Sequence, residues 1–188
     1  QEYLDNGWLN TLTLPQQSDL LKGIVLGGEY GPLSGNTKGI IKINNIKGFL
    51  QKSKQIKGRI SLTGNNDALL HLLETEAEIR NSADVLKKSL TGDKTLPFAF
   101  HKSNFGKQMH TTAELINSGT VIPFFKVSLG SFDTHTNQPK KHARLLKELS
   151  KGIATMRKNL IESGEWENTI IMTYSEFGRR AAENASKG

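Results

Sequence analysis

At 188 residues, with 36% hydrophobic and 23% charged side chains, the chain can build a packed core and is not a disordered polyelectrolyte. The absence of cysteine excludes a disulfide framework and any thiolate metal site, and no apolar run nears the ~20 residues of a membrane-spanning helix. A net charge of +7 favours an anionic partner over a cationic one.

The charge is unevenly spread. From Lys38 to Arg59 there are seven basic residues and no acidic one. Such a stretch reads first as a solvated face, and beside that as a contact for anionic lipid, an acidic polysaccharide or other polymer, or a protein partner. Nucleic acid ranks below these, because Phe49 is the single aromatic in the stretch and no stacking pattern accompanies it. Gln1 opens the chain without a basic-then-apolar leader, and Glu183–Gly188 reads as an unfinished loop, so a fragment is expected.

Residues 1–60 read as short strands and loops. Gly23–Leu26 and Gly39–Ile43 are apolar runs bounded by Gly or Asn, each fitting a short strand. The glycine-dense stretch Gly27–Asn36 between them lacks phosphate-loop spacing and reads as an ordinary connection. Residues 61–119 are predicted to be helical. A helix over 65–90 carries recurrent i, i+3, i+4 apolar steps, with Asn65 or Asn66 as N-cap. A second helix spans about Phe105 to Ser118 and stops at Gly119. His101 and His110, without partners at ligand spacing, read as surface or capping residues.

Residues 120–188 are predicted to form a βαβ core. Val121–Leu129 is almost continuously apolar, as a strand buried on both faces would be. A helix follows from Pro139 to Ser163, with His142, Leu145, Leu146, Leu149, Ile153, Met156 and Leu160 on its inward stripe. Asn168–Tyr174 reads as a second buried strand, giving a right-handed crossover between parallel strands.

That crossover carries the polar residues of interest. Asp133 and His135 follow the first strand's carboxyl end, and Glu176 and Arg179 follow the second's, the edge at which open parallel sheets bind ligands. Carboxylate oxygen and imidazole nitrogen suit a Zn, Mn, Mg or Ca ion, so Asp133, His135 and Glu176 are candidate metal ligands. Arg179 suits a bidentate grip on an anionic group, and His142, starting the crossover helix, a fourth ligand or an acid/base. Plainer readings stand beside these: an Asx turn at Asp133-Thr134, and a local i, i+3 pair between Glu176 and Arg179.

The strings Phe132-Asp-Thr-His-Thr-Asn-Gln138 and Ser175-Glu-Phe-Gly-Arg179, with looser matches at Asp5–Leu9 and Phe105–Met109, resemble the bacterial DUF1501 family along most of the chain. That family is similar to the alkaline phosphatase and sulfatase superfamily. The resemblance implies one partial domain of a three-layer α/β/α sandwich with a mostly parallel sheet. It also implies a metal-dependent hydrolase of phosphate or sulfate esters, placed in the periplasm or cell envelope. Asp133 and His135 would stand where one metal's ligands lie, and Ser175-Glu176 where an Asp-His pair is usual, a departure that bears on a second metal. Arg180 departs from the usual Thr. No nucleophile and no Asp-His-Gly string are present, so the fragment alone is expected to be inactive. The alternative is a non-enzymatic exported scaffold that binds an anionic polymer or a protein partner.

Overall fold

The computed structural model describes residues 7–11, 21–35, 38–56, 67–90, 95–175 and 178. They form a mixed α/β structure that divides into two compact units, Gln1–Thr95 with Glu114–Ser128, and Leu96–Ala113 with Leu129–Gly188.

The first unit is organised by three short parallel strands, β1 (Gly23–Leu26), β2 (Ile40–Ile43) and β3 (Phe124–Val127), in the order β2-β1-β3. β1 is paired on both edges, with Gly23 opposite Ile40 and Phe124, and Leu26 opposite Ile43 and Val127. All four of its residues are buried, as a central strand with both faces covered requires. Alternation splits the sheet into two faces. On one, Ile24, Leu26 and Ile43 pack with Ile46, Leu86, Leu115 and Ile122, and with the half-buried Phe125 and Val127. The helices concerned are α1 (Ile46–Ser53), α2 (Asp67–Ser89) and the end of α3 (Asn104–Asn117). On the other face, Val25 and Ile40 pack with Leu33 and with the half-buried Leu9, Tyr30 and Phe124. Asn45 starts α1 in the expected capping manner, its Oδ1 accepting from the Gly48 N–H at 2.6 Å.

In the second unit the frame is the long helix α4 (Gln138–Ser163), closed by Gly164. Its buried line is Leu145, Gly152, Met156, Asn159 and Leu160. At Gly152 the backbone lies so close to Phe105 that a Cβ would stand 2.6 Å from that ring's Cε1, which explains a glycine in mid-helix. Asn159, fully buried, clamps the preceding segment. Its Oδ1 accepts from the Phe98 N–H at 3.1 Å, and its Nδ2 donates to the Phe98 carbonyl at 2.9 Å and the Thr155 carbonyl at 3.0 Å.

Three expectations need correction. Asn168–Tyr174 is not assigned as a strand: Trp166–Asn168 is a 3-10 turn, and no ladder among the described residues includes the ones after it. Ile170 is 96% exposed and Met172 and Tyr174 are more than half exposed, so a run with strand composition stays at the surface and pairs with none of the described strands. The predicted βαβ crossover is therefore absent among the described residues, and β3 is joined to the sheet by β1 instead. β3 itself is half-buried along its length, not buried on both faces. On α4, Leu146 is 54% exposed, and Gly152 and Asn159 stand on the inner face in place of part of the apolar stripe. The caps proposed at Asn65 and Asn66 lie outside the described residues.

Replacing Asn159 by Ala leaves the Phe98 amide and carbonyl without their partner, a loss of about 1–3 kcal/mol per unsatisfied group. Urea denaturation should show the second unit destabilised by about 2–3 kcal/mol in Asn159→Ala, against less than about 0.5 kcal/mol for Leu146→Ala at its exposed position. Equal effects would refute the clamp.

Candidate functional site

The loop from Leu129 to Asn137 follows β3 and leads into α4, and it carries two of the candidate residues. Two non-glycine residues with left-handed backbone bracket its centre, Ser131 at φ 73° and Asn137 at φ 52°. Such conformations cost of order 1–3 kcal/mol each for most residues, less for Asn, and persist where surrounding contacts hold them. Between these two positions the loop's contacts converge on His142, one turn into α4.

His142 Nε2 lies 2.8 Å from the Phe132 carbonyl oxygen, which can only accept, so this nitrogen carries the proton and donates. It also lies 3.3 Å from Thr134 Oγ1, and Thr134 in turn donates to Gln138 Oε1 at 3.3 Å. The Phe132 and His142 rings meet edge to face at 5.5 Å between centroids. Thr134 is buried at 4% exposure, while the residues on either side of it turn outward. The loop is thus pinned at Phe132 and Thr134 and presents Asp133 and His135, whose side chains are 56% and 81% exposed.

Those two side chains meet: His135 Nε2 is 3.6 Å from Asp133 Oδ1. The separation is near the about 3.4 Å between two ligands of one tetrahedral ion with bonds of about 2.1 Å. The donor set of one carboxylate and one imidazole fits a borderline divalent metal. Among the described residues no group of three His, Asp or Glu side chains gathers to complete such a site. Glu176 and Arg179 lie outside the described residues. His142 belongs to the same loop cluster, where its Nε2 is committed to holding Phe132 and Thr134.

Sequence reasoning passed over a second group, at the carboxyl end of the sheet. Lys42 and Lys126 are both paired with Val25 in the register and so flank it on one face. The Lys126 ammonium is held below the ordinary lysine pKa, first by burial and then by the neighbouring Lys42 charge, with Glu29 acting in the opposite sense. A visible signal existed. Ile-Ile-Lys-Ile and Phe-Phe-Lys-Val each place one lysine at the third position of an otherwise apolar strand.

A family model described as "Protein of unknown function (DUF1501)" matches residues 42–188. No curated protein and no solved structure gives a match.

His142→Phe keeps a ring against Phe132 but removes the bonds to Phe132 and Thr134. The expected cost is about 1 kcal/mol in chemical denaturation, with faster cleavage of residues 131–136 in limited proteolysis. Cleavage at the wild-type rate would mean that His142 does not hold the loop.

Proposed function

We propose, starting from the fact that the chain belongs to the DUF1501 family, that it is part of a metal-dependent hydrolase of phosphate or sulfate esters. The observation that supports this best is the Asp133–His135 pair, 3.6 Å apart and outward-facing on a loop braced from beneath. Asp133 and His135 would hold the ion, with Glu176 as the third protein ligand. The bound ion would act as a Lewis acid on an ester oxygen and lower the pKa of an attacking oxygen nucleophile.

The chain's own residues have distinct duties in this reading. Asp133 supplies the negative charge that a dication needs, and His135 a neutral nitrogen donor. His142 positions both through Phe132 and Thr134, so that neither ligand has to be ordered when the ion arrives. Arg179 receives the non-bridging oxygens of the ester in its planar fork and opposes the charge that builds as the bond breaks. The three parallel strands would then belong to an α/β/α sandwich of the alkaline phosphatase kind, and an exported location would follow from the same kinship.

Titrating Zn²⁺ or Mn²⁺ into the full-length protein tests this directly. Asp133→Ala and Glu176→Ala should each weaken binding by about tenfold or more, the order of loss when a ligand or its support is removed. Turnover of an aryl phosphate or aryl sulfate should fall in parallel. Undiminished metal affinity and turnover in both variants would sink the assignment.

A further inference from the structure

The face of the sheet that carries Val25 ends in an arrangement of charge that the metal reading leaves unused. Lys42 and Lys126 stand one strand to either side of Val25, about 10 Å apart at their Cα atoms given two strand spacings. Lys42 is answered: both Glu29 carboxylate oxygens lie 3.1 Å from its Nζ, which also sits 5.8 Å from the centre of the Tyr30 ring. Lys126 is not answered in this way. Among the described residues its Nζ donates to Ser128 Oγ at 3.1 Å and makes no ion pair. An ammonium has three N–H bonds, so two remain for a ligand.

The surroundings of Lys126 are shaped as well as charged. Ser128 Oγ donates onward to the Gly27 carbonyl at 3.0 Å, tying the end of β3 to the turn that follows β1. In that turn Gly28 has φ +67°, and a Cβ there would lie 2.5 Å from Ser128 Oγ and 3.3 Å from Lys126 Nζ. Only glycine lets the turn approach Ser128 and the ammonium this closely. The place in the topology matters too. From β1 the chain passes to β2 on one side, and later returns as β3 on the other. The carboxyl ends on either side of such a reversal are where open parallel sheets take up ligands. Burial and the charge of Lys42 both penalise the Lys126 cation, and one carboxylate, Glu29, serves two ammoniums. An added anion would relieve that imbalance. A tetrahedral oxyanion suits it better than a carboxylate, since several oxygens let it take donors from both sides of Val25.

We propose that Lys126, with Lys42 and the Gly27–Gly28 turn beside Ser128, forms a cradle for a phosphate or sulfate group. The cradle requires no metal and uses none of the candidate ligands.

The test is an NMR titration of the ¹⁵N-labelled full chain in EDTA at constant ionic strength, with inorganic phosphate, sulfate and phenyl phosphate as probes. Saturable shifts are expected at the amides of Gly27, Gly28 and Ser128, with roughly millimolar affinity. Lys126→Met should weaken binding about tenfold, as loss of a charge-assisted hydrogen bond does. Ser128→Ala should weaken it less, and Glu29→Gln should tighten it by releasing Lys42. Lys52→Met, an exposed charge on α1, should change it less than about twofold. Unchanged β1 amide shifts will show that each variant is folded. Tighter binding of phenyl phosphate than of inorganic phosphate would identify an ester as the ligand; equal affinities would identify a free oxyanion; either upholds the cradle. Shifts that do not saturate, or equal losses in Lys126→Met and Lys52→Met, would overturn it.

Discussion

The double pairing of β1 is the constraint on which the first unit depends. Four residues, Gly23–Leu26, have both edges in a parallel ladder and both faces under side chains. A parallel strand cannot leave its amides and carbonyls unpaired in so dry a place, so β2 and β3 are held in one register. That register decides what stands beside Val25, and Val25 is flanked by two lysines. It also decides that β3 ends level with β1, so that Ser128 can reach the Gly27 carbonyl. The chemistry at the sheet's end is thus a consequence of pairing geometry, not of any local motif.

The second unit relies on polar clamps between a long helix and the segments before it. Asn159 holds Phe98, and His142 holds Phe132 and Thr134. Both are buried or half-buried polar side chains that bond backbone atoms, His142 adding a bond to the Thr134 hydroxyl, the arrangement that fixes a non-repeating segment where helix or sheet bonds cannot. The His142 clamp has the clearer functional meaning, because it braces a loop with two left-handed backbone positions and turns Asp133 and His135 outward. An aliphatic residue at position 142 could fill the same volume but could not donate to the Phe132 carbonyl.

Much of this was legible in the residues themselves. The runs Gly23–Leu26 and Gly39–Ile43 and the periodicity of α3 and α4 led to the correct elements within a residue or two, because apolar pattern and turn chemistry agree there. Asn168–Tyr174 shows the limit. Its composition matches that of β3, but a strand is a relation between two segments, and the composition of one segment does not reveal whether a partner exists. Apolar spacing on α4 places Leu146 on the inner stripe, whereas the inner line runs through a glycine admitted by the Phe105 ring and an asparagine satisfied by backbone. The DTH string was recognisable as a candidate site, but the clamp beneath it was visible only as a histidine at a helix start. The lysines at the third positions of two apolar strands are on view in the sequence, Lys42 within the basic stretch and Lys126 within an apolar run. Their meeting across Val25 required the register.

Native-state hydrogen exchange resolved by residue is the measurement that bears most directly on the central position of β1. The amides of Ile24, Val25 and Leu26 should be among the slowest to exchange in the first unit, requiring its global opening, while those of Ile170, Ile171 and Met172 should exchange at close to unprotected rates. Rapid exchange across β1, or protection of 170–172 equal to that of β1, would contradict the account, because the sheet and everything placed at its carboxyl edge would then have a different centre.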